Sequence, residues 1–330
     1  MAGRLGWRVW AALGTVYLIW GSTYLGIRYA VTSAPPLLMA GARFVAAGLI
    51  MVGITSALRG MRVWRMTRAQ AGTAVLSGVL LVLGGNGLVT VGEQRVPSGI
   101  AALIVAGVPL WIVLLRAALG DRPARVTVLG VGVGVAGVAA LFLPGGGTGR
   151  LDVRYALLTV LASLSWAVGS LVAVRRPVPP EPLALSTVQM MAGGVVSLAC
   201  SAAIGEWRGF HPAQVSGTSW LAIGYLVSFG AVVAYPAYVY LLGTAPVSLV
   251  STYAFVNPVI AVLLGVLVAG ERLAGPEILA AAVIVVAVAV VVTAEARARA
   301  TVRATWHHPD GADPLVAHRP PDRARRPGLR

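Results

Sequence analysis

Apolar residues run along this chain in long blocks, separated by short stretches that hold most of the Arg, Pro and Gly. A window of about 19 residues marks ten apolar segments: Val9–Val31, Pro36–Leu58, Ala69–Val91, Pro97–Leu119, Val126–Leu143, Arg154–Val174, Leu183–Ile204, Thr218–Leu242, Pro246–Val268 and Pro276–Thr293. In hydrocarbon each backbone amide must find its partner within its own segment, so runs of this length are helices. The pattern therefore predicts an all-α integral membrane protein with ten transmembrane helices. The first segment follows Arg4 and Arg8, as a signal peptide would. Its apolar run is too long for a signal h-region and carries Trp20 and Tyr24, so it reads as a retained span.

Composition narrows the class. Of 330 residues, 58% are apolar and only 11% are charged, against about a quarter charged in soluble domains. A soluble enzyme, a disordered chain and a disulfide scaffold are excluded; the single Cys200 forms no internal pair. All 26 basic residues are Arg, and the net charge is +15. They are scattered between apolar segments, so no nucleic-acid partner is read from them. With ten spans both termini share one side. Placing that side in the cytoplasm puts 11 Arg of the loops and N-terminus inside and 6 outside, before the C-terminal tail adds 8 more inside. The positive-inside rule then sets both termini in the cytoplasm of a multi-pass inner (plasma) membrane protein. Residues 294–330, rich in Arg and Pro, read as a disordered cytoplasmic tail, either touching anionic lipid or simply solvated.

The chain also repeats itself. Pro97-Ser-Gly-Ile-Ala-Ala-Leu leads to Val108-Pro109 and then to Gly120-Asp121-Arg122; Pro246-Val-Ser-Leu-Val-Ser-Thr leads to Asn257-Pro258 and then to Gly270-Glu271-Arg272. Upstream, Trp20-Gly21-Ser22 has a looser counterpart in Trp166-Ala-Val-Gly169-Ser170. The division is a short N-terminus (1–8), one five-helix unit (9–143), a second (154–293) and the tail. Five is odd, so the second unit enters from the opposite face. Inverted repeats of this kind are frequent in secondary transporters; a duplication kept only for packing is the alternative.

Trp20-Gly-Ser-Thr-Tyr24, Arg43-Phe44, Gly85-Asn86-Gly87, Glu93-Gln94 with Val96-Pro97-Ser98-Gly99, Val108-Pro-Leu-Trp111, Leu164-Ser-Trp166, and Ser251-Thr-Tyr-Ala254 with Asn257-Pro258 together resemble EamA-type carriers of the drug/metabolite transporter superfamily. The resemblance spans about residues 9 to 293 and omits the tail. It implies two inverted five-helix repeats around a central cavity, usually exporting amino acids or other small metabolites.

Candidate chemistry is sparse. His211, His307, His308 and His318 lie outside the spans, and no Asp or Glu occupies the middle third of one. Intramembrane proteolysis, metal hydrolysis and a Ser–His dyad therefore lack their parts, and neither a cofactor nor a metal is implied. Arg43 is the one charge well inside a span. It reads either as an anchor for an anionic substrate group or as a packing Arg that bonds carbonyls or snorkels. Glu93 reads as a gate or proton site at the cavity mouth, or as an interfacial cap wetted by headgroups. Pro109 and Pro258 fall near mid-span and can bend their helices as hinges. Asn86 and Asn257 are amides that need a partner, from a neighbouring helix or from substrate. Trp20, Ser22, Tyr24, Trp111, Trp166, Tyr235, Tyr238 and Tyr253 complete the expected cavity lining, with packing as the plainer role for any one of them. Gly130-Val-Gly-Val-Gly134 gives span five a small-residue face, for packing within the chain or for a homodimer contact involving spans five and ten.

The sequence thus predicts a carrier that moves a small polar or amphipathic molecule, outward, by alternating access. An exchanger of phosphorylated or nucleotide-linked sugars would need more cavity bases than Arg43. A non-transporting sensor or assembly factor has no use for the inverted repeat.

Overall fold

The computed structural model describes residues 6–120, 123–140, 152–245, 252–272 and 275–306. Asp121 and Arg122 of the first repeated motif, the segment from Pro246 to Ser251, and the tail beyond Trp306 lie outside the described residues. Among the described residues all regular structure is helical. Helices α1 (Trp7–Ala30) and α2 (Pro36–Arg59) are followed by α3 (Arg68–Gly92), α4 (Ser98–Ala118) and α5 (Arg125–Ala140). The second half holds α6 (Val153–Arg175), α7 (Pro182–Ala203), α8 (Gly217–Tyr225 continued through Leu226–Val233 and Ala234–Thr244), α9 (Tyr253–Ala269) and α10 (Gly275–Trp306). Seven of these are long and apolar enough to cross a membrane, and Arg125–Ala140 and Tyr253–Ala269 are shorter apolar helices.

Local chemistry sets the helix ends. Thr67 and Gln70 form a reciprocal capping box at the start of α3, and Asp152 and Ser216 cap α6 and α8. Pro36 and Pro182 occupy the first turns of α2 and α7, where a missing N–H costs nothing. Helix α9 stops at Gly270, whose φ of 65° is left-handed and turns the Glu271 N–H back onto the Gly265 carbonyl at 2.9 Å.

Two helices carry a π-helical stretch, Val79–Gly87 in α3 and Leu226–Val233 in α8. These are the third helices of the two halves. The expected prolines differ from each other. Pro109 sits in the first turn of a restart: α4 turns at Ala106–Gly107 and resumes at Val108. Pro258 lies inside an unbroken α9. Helix α10 runs past Thr293 to Trp306, because Ala294-Glu-Ala-Arg-Ala-Arg-Ala is built of strong helix formers.

Helices α2 and α7 pack together, and α5 lies against α10. In the latter pair Gly130, Gly134 and Gly137 face Val291, Ala287 and Ile284. The small-residue face therefore serves packing within the chain. Side chains on the outside are apolar, as at Leu129, Leu267 and Leu279, which suits a lipid surround rather than water.

Candidate functional site

Several connections gather at one end of the bundle. Ser33, after α1, bonds Ser219 at the start of α8 at 2.8 Å. Glu206, just past α7, accepts from the backbone N–H of Leu38 at 2.7 Å and of Leu37 at 3.3 Å in the first turn of α2. Glu271, just past α9, accepts from the Ser98 N–H and hydroxyl, both at 2.8 Å, and from the Gly99 N–H at 3.2 Å. Each carboxylate from the second half thus fills the orphan donors and faces the positive dipole end of a first-half helix. Gly265 makes room for the second of them, since a Cβ there would strike the Glu271 carboxylate. At the opposite end Arg59 and Glu181 pair at 3.4 Å on the surface, joining the end of α2 to the start of α7. Sequence reasoning noted Glu271 but not its role, and missed Glu206.

Mid-bundle, four of the expected aromatics form one cluster from both halves. Trp20 of α1 meets Tyr238 of α8 at 5.1 Å and Tyr253 of α9 at 5.5 Å between ring centroids. Tyr238 meets Tyr253 at 5.8 Å, nearly perpendicular, and Tyr235 at 6.3 Å. These geometries are the favoured tilted and edge-on ones. The Trp20 indole N–H donates to the Gly230 carbonyl at 3.2 Å, inside the π-helical part of α8. Asn257, one turn beyond Tyr253 on α9, is buried, and its Oδ1 has no hydrogen-bond partner.

The counterpart elements behave alike. Ser165 of α6 donates to the Leu80 carbonyl at 2.8 Å, inside the π-helical part of α3. The ring of Trp166 lies over Gly85 in the same stretch. In both halves a residue in or beside the Trp-containing motif donates to a backbone carbonyl within a π-helical stretch.

The remaining expected residues fall into separate groups. Ser22 shares a 2.5 Å hydrogen bond with the Tyr225 hydroxyl. Trp111 donates to Ser163 at 2.9 Å, linking α4 to α6. Arg43 is buried, donates to Asn86 Oδ1 at 3.2 Å and lies 4.3 Å from the centroid of Phe44; its Nε has no partner. Arg43 is therefore held inside the bundle by a side-chain amide rather than snorkelling outward. Glu93 is fully buried rather than wetted, with neither carboxylate oxygen bonded. Tyr24 is half-buried and packs against the apolar core of the bundle. Arg28 donates to the Glu93 backbone carbonyl at 2.6 Å.

A cleft of about 320 Å³ opens beside this turn, lined by Arg28, Val31, Thr32, Gln94, Arg95 and Tyr155. None of the expected cavity residues lines it. It is distinct from the aromatic cluster. Among the described residues no group of three or more His, Cys, Asp or Glu could hold a metal ion.

Comparison with known proteins bears on the family. Residues 7–143 and 153–293 each match the EamA-like transporter family. The inner membrane transporter YedA of Escherichia coli (strain K12) is 42% identical over 277 residues, covering 84% of this chain and 88% of the relative. Transporter YvbV of Bacillus subtilis (strain 168) is 25% identical over 261 residues, covering 76% of this chain and 80% of the relative. One solved crystal structure shares the fold, with a TM-score of 0.60 at 24% identity over 88% of this chain and 97% of the other.

Proposed function

The chain belongs to the EamA-like transporter family, and from that premise we propose that it is a secondary transporter exporting a small polar or amphipathic metabolite, such as an amino acid, by alternating access. It is a membrane transporter and not an enzyme. Ten helices cross the bilayer as two five-helix repeats of opposite sense, α1–α5 and α6–α10, with both termini in the cytoplasm. The end contacts support this arrangement. The start of α4 meets the end of α9, and the start of α2 meets the end of α7. The paired π-helical stretches of α3 and α8, each bonded from the opposite half's Trp motif, support the repeat relation.

The observation that carries the proposal is the Trp20–Tyr238–Tyr253 cluster. It joins a first-repeat helix to two second-repeat helices at mid-bundle depth, beside the unpartnered Asn257 amide oxygen. An apolar aromatic wall with a few placed polar groups suits a small amphipathic solute. A site built between repeats changes its exposure when they rock. The outward direction follows the motif resemblance set out above.

The test starts from metabolite pools in overexpressing and deletion cells. Compounds that change are then followed as flux in liposomes carrying the purified full-length chain. Flux that falls at least tenfold in Trp20→Ala supports the reading. Absence of flux for every compound that changes would contradict it.

A further inference from the structure

Glu93 lies one residue past the end of α3, and it is among the largest side chains the fold buries completely. Its two carboxylate oxygens have no hydrogen-bond donor. The groups facing it come from several elements. Tyr24 and Arg28 belong to α1, Arg43 to α2, and Glu271 follows α9. On its own turn Gln94 and Arg95 border the cleft, together with Tyr155 of α6. Arg28 reaches the backbone carbonyl of Glu93 rather than its carboxylate, and Arg43 is committed to Asn86.

A carboxylate without water or donors is a poor anion, because nothing replaces its hydration. Burial holds Glu93 well above the usual carboxylate range; the charge of Glu271 pushes the same way, while Arg28 and Arg43 pull back. The neutral acid is the form that fits this closed turn. The cleft lies next to it, since Arg28 lines that cleft and holds the Glu93 carbonyl at once. Movement of the α3–α4 turn toward the cleft would wet the carboxyl and let its proton go.

We propose that Glu93 is a proton-binding site that gates this mouth of the protein: the turn closes as Glu93 takes a proton from the cleft and opens as the proton returns there. Glu93–H becomes Glu93 carboxylate plus a solvated proton, with no other reactant. The gate rests on the transporter reading above, deepening it with a proton as ligand. Because one form is buried and the other wetted, pH at this face sets the ratio of closed to open mouths.

The experiment needs no transported solute; the proton is the probe. Purified full-length protein in lipid nanodiscs is titrated while infrared difference spectra follow the protonated-carboxyl band. Hydrogen exchange of the Gly92–Gly99 segment, corrected for the intrinsic chemical rate, is read in parallel. The proposal expects a band that survives above the pH where an exposed Glu ionises and is lost in Glu93→Gln. It expects exchange that rises with the same midpoint in the unsubstituted chain and stays low at every pH in Glu93→Gln. Glu271→Gln should move the midpoint to lower pH and Arg28→Gln to higher pH, which decides the matter even if Glu93→Gln fails to fold. A band that persists in Glu93→Gln, a midpoint unmoved by both neighbours, or exchange indifferent to pH would overturn the proposal. Flux plays no part in these readouts, so the gate and the carrier reading fail separately.

Discussion

The indole N–H of Trp20 donates to the carbonyl of Gly230 at 3.2 Å, and Gly230 lies where α8 leaves α-helical register. The other half answers with Ser165 on Leu80 in α3. In each case the accepting carbonyl lies within a π-helical stretch. The side chain that takes it sits in or beside the repeated Trp motif.

Replacing Trp20 by Phe keeps a ring in the cluster but drops this bond. Its expected thermodynamic effect is a loss of about 1 kcal/mol of stability, with flux reduced. Ser165→Ala should cost a similar amount without touching the aromatic cluster, so its flux should stay near that of the unsubstituted protein. Thermal melts in detergent paired with liposome flux separate the two.

The Glu271 cap gives a second prediction. Glu271→Ala leaves three donors at the start of α4 without their acceptor. A loss of about 2–3 kcal/mol is expected. Ser98→Ala removes only the hydroxyl bond and should lose about 1 kcal/mol. Gly265→Ala should resemble Glu271→Ala, because the new methyl displaces the carboxylate. Melting temperatures lowered about equally by Glu271→Ala and Gly265→Ala, and less by Ser98→Ala, check the assignment.

Asn257 separates function from folding. Its Oδ1 has no partner, so Asn257→Ala breaks no bond to that atom. Stability should change by no more than about 0.5–1 kcal/mol, while flux falls at least tenfold. Equal losses in melting temperature and flux would assign Asn257 to packing instead.

Arg43 and Asn86 should couple. A double-mutant cycle with Arg43→Lys and Asn86→Ala is expected to show an interaction of about 1 kcal/mol in stability, because the buried Arg43 donates to the half-buried Asn86 on a neighbouring helix. Additive losses would separate them.

Helices were the legible part, since a membrane leaves little choice for long apolar runs. Of seven aromatic residues read at comparable depth, Trp20, Tyr235, Tyr238 and Tyr253 meet in one cluster, while Tyr24, Trp111 and Trp166 do not, because hydropathy gives depth along a helix but not the face a ring occupies. The π-helical stretches were not, because hydropathy carries no information about whether a carbonyl bonds four or five residues on. Glu206 and Glu271 join segments about 170 residues away, and a single sequence holds no record of such pairings. Glu93 was singled out, but a hydropathy profile places a residue along a helix without saying how tightly its neighbours close over it. Pro109 and Pro258 occupy matched positions, yet only the one preceded by Ala106–Gly107 meets a break.

The central claim is that one aromatic site between two opposed repeats reaches both compartments in turn. With Cys200 replaced by Ser, a single cysteine at Tyr238 can be challenged with a membrane-impermeant thiol reagent. Right-side-out and inside-out vesicles present the two faces separately. Alternating access predicts that Tyr238→Cys is modified from either face, in both vesicle types. Modification from one face only, whatever the conditions, would contradict it.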